Sequence, residues 1–272
     1  MKNILIVAES EKNTKCMMEK ALRFSPEVIQ VVYFENSKSS IATIQTALQS
    51  ITKDQCRAEV IISVGNTLKE KTQALTKVVE NNKAEMIFIH RPNRGAEEQD
   101  FSLIKAVLKI STCTKVLLSN DKSWPEGIKA LGTLDLSDDN PVQSLLNDRV
   151  IQTTADLADA IQAEVSFLSV SAISKISKEL VLTSPSEVMA IKGKATKEKL
   201  DFTIKAKASQ LTFSSHVSAG NPAVEIARVS RKLNSNVVII GNVGRTGIKG
   251  LIVGNTAEKI LHRLTTDALI IK

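Results

Sequence analysis

Aromatic side chains are scarce: Trp124 and Tyr33 are each the single example of their type, and aromatics make up 3% of the 272 residues. That scarcity excludes the stacking platforms on which single-stranded nucleic acids are held. The cysteines are few as well. Cys16, Cys56 and Cys113 are odd in number, lack metal-site spacing and all lie in the first half, so they read as buried or half-buried thiols and not as a disulfide framework or zinc site. No apolar run reaches the roughly 18–20 residues of a membrane-spanning helix. Ile4–Val7 behind Lys2 is too short for the apolar core of a signal peptide. The expectation is a cytoplasmic protein without a membrane partner. With 43% apolar residues and only six prolines, the chain reads as globular, and its length suits two domains of roughly 100–150 residues each.

The net charge of +7 is compatible with polyanion binding. The lysines are scattered, however, and the one dense cluster, Lys192 to Lys199, reads as the solvated face of a helix. Nucleic acid is therefore not the expected partner.

What the chain does have is alternation: short β-branched runs separated by longer amphipathic stretches, the signature of a mainly parallel α/β sheet. Strands are expected at Asn3–Ala8, Val28–Phe34, Glu59–Val64, Glu85–His90 and Lys115–Leu118. Helical spacing marks Asn13 to Phe24 and the stripe Phe101, Ile104, Val107 and Leu108. The pattern restarts after Trp124-Pro125-Glu126-Gly127, a turn-rich linker, with strands at Lys129–Leu134, Glu164–Val170, Gln210–Val217, Asn236–Ile240 and Asp267–Ile271. Asn140-Pro141 and Asn221-Pro222 each supply an N-cap followed by proline at the first helical position. Leu145, Leu146, Val150, Leu157 and Ile161 make the buried stripe of the helix that follows Asn140. The stretch Ser171–Lys199 is long for a strand-to-helix connection and starts a helix at Pro185-Ser186; it is a candidate cover for a pocket or a packing insertion.

Two copies of one pattern follow from this. Ala84–His90 lines up with Ser235–Gly241, yet the copies differ in glycine: only Gly65 and Gly95 precede the linker, and nine lie from Gly127 onward. Gly241, Gly244, Gly247 and Gly250 leave the strand at Asn236–Ile240, and Gly254-Asn255-Thr256 opens a helix carrying Ala257, Ile260, Leu261 and Leu264. Glycines let backbone amides approach an anion, a helix start adds free N–H groups, and Arg245 and Lys249 add cations. The spacing is neither a Walker A loop nor a dinucleotide fingerprint. Turn formation and helix capping by Asn255 and Thr256 are the structural alternative.

Gly241-x2-Gly244-x9-Gly254-Asn255, behind Val237–Ile240 and ahead of Ala257–Leu261, resembles the ATP-binding signature of the universal stress protein family. Asn255 stands where that family usually has serine or threonine. Val217-x2-Gly220-x-Pro222 and Thr133-Leu134-Asp135-Leu136-Ser137 resemble two further elements of it. The likeness extends in outline to the first half, as in members with two tandem domains. It implies an α/β fold of two domains, 1–122 and 126–272, each a five-stranded parallel sheet of order 3-2-1-4-5 with helices on both faces. That order brings Asp135 beside Gly241 at the switch point where ligands of such sheets bind.

The resemblance implies an adenine nucleotide, ATP or a relative with magnesium as a candidate counter-ion. Leu134 and Asp135 would face the nucleoside, and Gly241, Gly244, Gly254, Asn255 and Thr256 the ribose and phosphates, with Arg245 as an added clamp. Asp135 has an Asx-turn role as its alternative. It further implies pairing of Lys115–Leu118 with Asp267–Ile271 as an internal pseudo-dimer, with a homodimer as a further option. In the first half His90-Arg-Pro-Asn93 stands where two glycines are expected, and Ala8-Glu9-Ser10 only approximates the acidic element, so one nucleotide per chain is expected. His90, His216 and His262 read as structural side chains. The implied function is a nucleotide-dependent stress regulator. The alternatives are a slow ATPase or nucleotide transferase, and a scaffold holding another ligand; no catalytic residue or metal-ligand set stands out.

Overall fold

The computed structural model describes residues 2–34, 40–52, 55–92, 101–110, 113–137, 140–172, 184–242, 245–247, 250–252 and 255–272; for 185, 188, 190 and those within 245–256 the backbone alone is described. The chain divides into two compact units, Met1–Pro125 with Gly244–Val253, and Glu126–Val243 with Gly254–Lys272.

The first unit runs β1 (Asn3–Val7), α1 (Glu11–Leu22), β2 (Val28–Phe34), α2 (Ile41–Thr52), β3 (Arg57–Ser63), α3 (Leu68–Asn82), β4 (Met86–His90), α4 (Ser102–Leu108) and β5 (Lys115–Ser119). Its strands are all parallel, in the order β3-β2-β1-β4-β5. The second unit runs β6 (Lys129–Leu134), α5 (Pro141–Ile161), β7 (Glu164–Ala172), α6 (Pro185–Lys207), β8 (Phe213–Gly220), α7 (Pro222–Lys232) and β9 (Val237–Gly241). After the short antiparallel hairpin of β10 (Arg245–Gly247) and β11 (Gly250–Ile252), which is grouped with the first unit, come α8 (Asn255–Leu261) and β12 (Asp267–Ile271). The order β12-β9-β6-β7-β8 repeats that of the first unit, again all parallel. The α/β class and the 3-2-1-4-5 order thus agree with the sequence reading.

The central strands are apolar on both sides because crossover helices cover a parallel sheet. Ile4–Val7, Met86–Ile89, Val237–Ile240 and Ala268–Ile271 are all buried. The repeat holds bond for bond. Glu85 N–H donates to Asn3 O at 2.9 Å and Asn236 N–H to Lys129 O at 2.8 Å. At the other end Arg91 N–H donates to Ser119 O and Asn242 N–H to Ile271 O, both at 2.8 Å.

Helix starts follow local chemistry. Asn140 and Asn221 accept from the N–H of Val142 and Ala223 ahead of a proline. Ser184 and Glu187 form a reciprocal capping box at α6, which satisfies amides that would otherwise lack partners. Within α6, Lys192, Lys194, Lys197 and Lys199 are exposed, as a solvated face requires. Two expectations need correction. β8 begins three residues later than expected and continues to Gly220, and Leu145 is 54% exposed while Leu146 is buried.

The first-unit end of the linker is held in place. Trp124 is buried and packs edge-on to Phe24, with ring centroids 6.0 Å apart. Arg23 donates to the Trp124 and Pro125 carbonyls at 2.9 and 3.2 Å. Buried Lys20 donates to Ser119 Oγ at 2.9 Å and Asn120 O at 3.1 Å, with its ammonium 5.8 Å from the Trp124 ring.

Gly132 in β6 is a packing position. A Cβ there would lie 2.5 Å from the Phe167 ring of β7 and 3.0 Å from Thr154 Oγ1 of α5. Gly132→Val is expected to lower the stability of the second unit by about 1–3 kcal/mol through overpacking, read by urea unfolding; an unchanged midpoint would contradict this packing.

Candidate functional site

The carboxyl ends of β6 and β9 lie side by side. Thr133 pairs with Ile240, and Thr133 Oγ1 donates to Ile239 O at 3.0 Å. One step on, Leu134 and Gly241 end their strands. Residues more than a hundred positions apart thereby share a rim, because β6 takes β9 and β7 as its two neighbours and the chain leaves it at a switch point.

Leu134 is buried and Asp135 is exposed. The Asp135 Oδ1 accepts from the N–H of Ser137 at 3.0 Å and from the Ser137 hydroxyl, so the Asx turn foreseen as the alternative is formed. Its main chain is gripped by a residue that sequence reading missed. Asn147 of α5 is buried; its Nδ2 donates to Asp135 O at 2.7 Å and its Oδ1 accepts from Asp135 N–H at 3.2 Å and from Gln143 Nε2 at 3.0 Å. An amide side chain offers one donor face and one acceptor face, and here both are used on the main chain of one residue. The available signal was an asparagine next to Leu146 on the side of α5 that also buries Val150 and Leu157.

Gly241 is the last residue of β9 and not the first of a loop. A Cβ on it would fall 2.7 Å from Leu146 Cγ, so its bareness lets α5 close on the strand end. Val142 and Leu145, exposed in the opening turns of α5, add apolar surface to that helix start. Of the other sequence candidates, Gly244 and Gly254 fall outside the described residues. For Arg245, Asn255 and Thr256 the backbone alone is described: Arg245 opens β10, and Asn255 and Thr256 open α8.

In the first unit the equivalent rim is filled by its own side chains. The matching bonds of β4 and β9 put His90 at the place of Gly241 and Glu9 at the place of Asp135. The imidazole of His90 lies between two carboxylates, its Nδ1 3.2 Å from Glu9 Oε2 and its Nε2 2.8 Å from Asp121 Oδ1. Sequence reading took His90 as a hydrogen-bonded strand-end residue, and its partners come from strand ends that only the topology unites.

At the carboxyl end of β8, Glu225 of α7 accepts from Arg228 Nε at 3.0 Å and Nη2 at 2.6 Å, and from the Ser218 hydroxyl. Those bonds, Arg228's first, hold its carboxyl below the usual range against the opposing effect of burial. Gly220, at φ +144°, takes the turn from β8 into this helix.

Among protein families, residues 141–272 match the universal stress protein family. They are a universal stress protein domain. Universal stress protein E of Salmonella typhi is 33% identical over 167 residues, 58% of this chain and 50% of that protein. The universal stress protein E homolog of Haemophilus influenzae is 26% identical over 216 residues, 74% and 66% of the respective chains. The chain thus spans about half the length of the first of these relatives. A solved universal stress protein of Pseudomonas aeruginosa UCBPP-PA14 matches with a TM-score of 0.74 and 21% identity over 100% of this chain and 93% of its own, a likeness of fold. Among the described residues no helix is long and apolar enough to cross a membrane.

Two outcomes test this rim. Asn147→Ala strands the N–H and C=O of Asp135 and is expected to cost about 1–3 kcal/mol in urea unfolding, whereas a loss below about 0.5 kcal/mol would remove Asn147 from the role. For Glu225, the lowered folded pKa means that the unfolded chain takes up the proton first on acidification. Its stabilisation is therefore full above about pH 4.3 and fades as pH falls through the lower folded value. The stability gap between wild type and Glu225→Gln should narrow between pH 5 and pH 3; a gap constant over that range would refute the pairing.

Proposed function

We propose that the universal stress protein domain binds an adenine nucleotide, ATP or a close relative, at the joint carboxyl ends of β6 and β9, and that occupancy regulates what the protein does under stress. The observation that carries the reading is the adjacency of Leu134-Asp135 to Gly241. It presents an exposed carboxylate and a main chain fixed by Asn147 at the switch point. This half of the rim fits a nucleoside: the carboxylate accepts from hydroxyls, and exposed Val142 and Leu145 offer apolar contact. Gly254, Asn255 and Thr256 would serve the phosphates from the helix start, with Gly244 and Arg245 as the loop contribution read from sequence. Bound magnesium would offset phosphate charge.

The first unit would bind no nucleotide, because His90 and its two carboxylates occupy the corresponding rim. A single site per chain follows, and the name shared with the relatives supports a role in the stress response.

Isothermal titration of ligand-stripped protein with magnesium-ATP should give one site per chain. Asp135→Ala should weaken it about tenfold, the loss of one charge-assisted hydrogen bond. Absence of binding at millimolar nucleotide would reject the proposal, and two equivalent sites would reject the exclusion of the first unit.

A further inference from the structure

At the amino end of β8, remote along that strand from the rim just described, α6 and β8 enclose a groove of about 530 Å³ lined by Lys197, Asp201, Lys205, Leu211, Phe213 and Ser215 among others. The three charged residues recur every fourth position and so share one helix face. Three chemical needs meet there. Asp201 Oδ2 lies 3.6 Å from Lys197 Nζ, while its Oδ1 is shut off from solvent with no hydrogen-bond partner, so a donor is wanted. Lys205 has no acidic partner among the described residues, so an anion is wanted. Among the described residues β8 pairs with β7 alone and is the last strand of its order, so its other edge presents backbone groups that no described strand pairs. Beyond the groove α6 also carries Phe202 and Ile191, each 75% exposed.

We propose that this groove receives an extended peptide segment bearing acidic side chains, which adds as a strand along β8. A peptide main chain supplies alternating donors and acceptors to the strand edge, and a turn of the Asp201 carboxylate, 35% exposed, lets it accept one N–H. Its carboxylate side chains answer Lys205 and, beside Asp201, Lys197. Alternate side chains of an added strand point to one face, so glutamates two residues apart can all face α6. A free amino acid would meet the two charged needs and leave the strand edge unpaired. The inference does not rest on nucleotide binding.

The test uses the full chain and three acetylated, amidated heptapeptides: one alternating glutamate and valine between terminal serines, one with lysine for glutamate, and one with a central proline in the acidic sequence. Amide chemical shifts and hydrogen exchange are followed on isotope-labelled protein. The acidic peptide should shift and protect amides within Phe213–His216. The lysine and proline peptides should bind at least about tenfold more weakly, through loss of the charge pair or of a ladder hydrogen bond. Lys205→Glu with Lys197→Glu should reverse the preference between acidic and lysine peptides, with the fold retained by circular dichroism. Equal binding of the three peptides, or no response of β8 at millimolar peptide, overturns the proposal. So does free glutamate matching the acidic peptide, or sedimentation showing that β8 pairs with a second copy.

Discussion

A parallel strand pair cannot be closed by a tight turn, so each strand must be followed by a crossover that returns the chain to the same end of the sheet. That constraint governs both units. It collects every strand's carboxyl end on one rim, and the order 3-2-1-4-5 then sets the first strand against the fourth. Whatever the residues just past those two strands are, they must meet. In the second unit the residues there are Asp135 and Gly241; in the first they are Glu9 and His90. The same scaffold therefore sets a braced aspartate beside a glycine in one unit and a histidine between two carboxylates in the other.

The bracing is as informative as the adjacency. A loop aspartate held only by its own Asx turn would leave its peptide groups to solvent, whereas Asn147 ties that peptide to a helix whose other residues, Val150, Leu157 and Ile161, are anchored in the core. Leu146 on the same helix reaches the bare Cα of Gly241. One helix thus fixes both strand ends, and the precision of the rim derives from apolar packing a few ångströms beneath it.

Strand positions in the interior were readable because apolar β-branched runs such as Val237–Ile240 have no other plausible home than a doubly covered sheet. β8 was harder, since Ser214, Ser215, His216 and Ser218 alternate little and an edge strand need not be apolar; its true start at Phe213 is set by pairing with Val165. Leu145 and Leu146 are neighbours in sequence and only one can face the sheet, a choice that depends on where α5 crosses β9. Asp135 was legible from its place after a strand, and His90 as a strand-end side chain, but Asn147, Glu9 and Asp121 acquire partners only through topology. The glycines at 132 and 241 serve packing against Phe167 and Leu146, a use that spacing alone does not distinguish from ligand approach.

The clasp around Trp124 bears on how the chain is divided. A fragment ending before that indole would turn the Phe24 ring toward water, leave Arg23 without the two carbonyls it holds, and take from Lys20 the aromatic face that roofs its ammonium. A first unit cut there would then be sticky and prone to proteolysis along α1. The segment between the repeats is thus a lock on the first fold as much as a tether to the second.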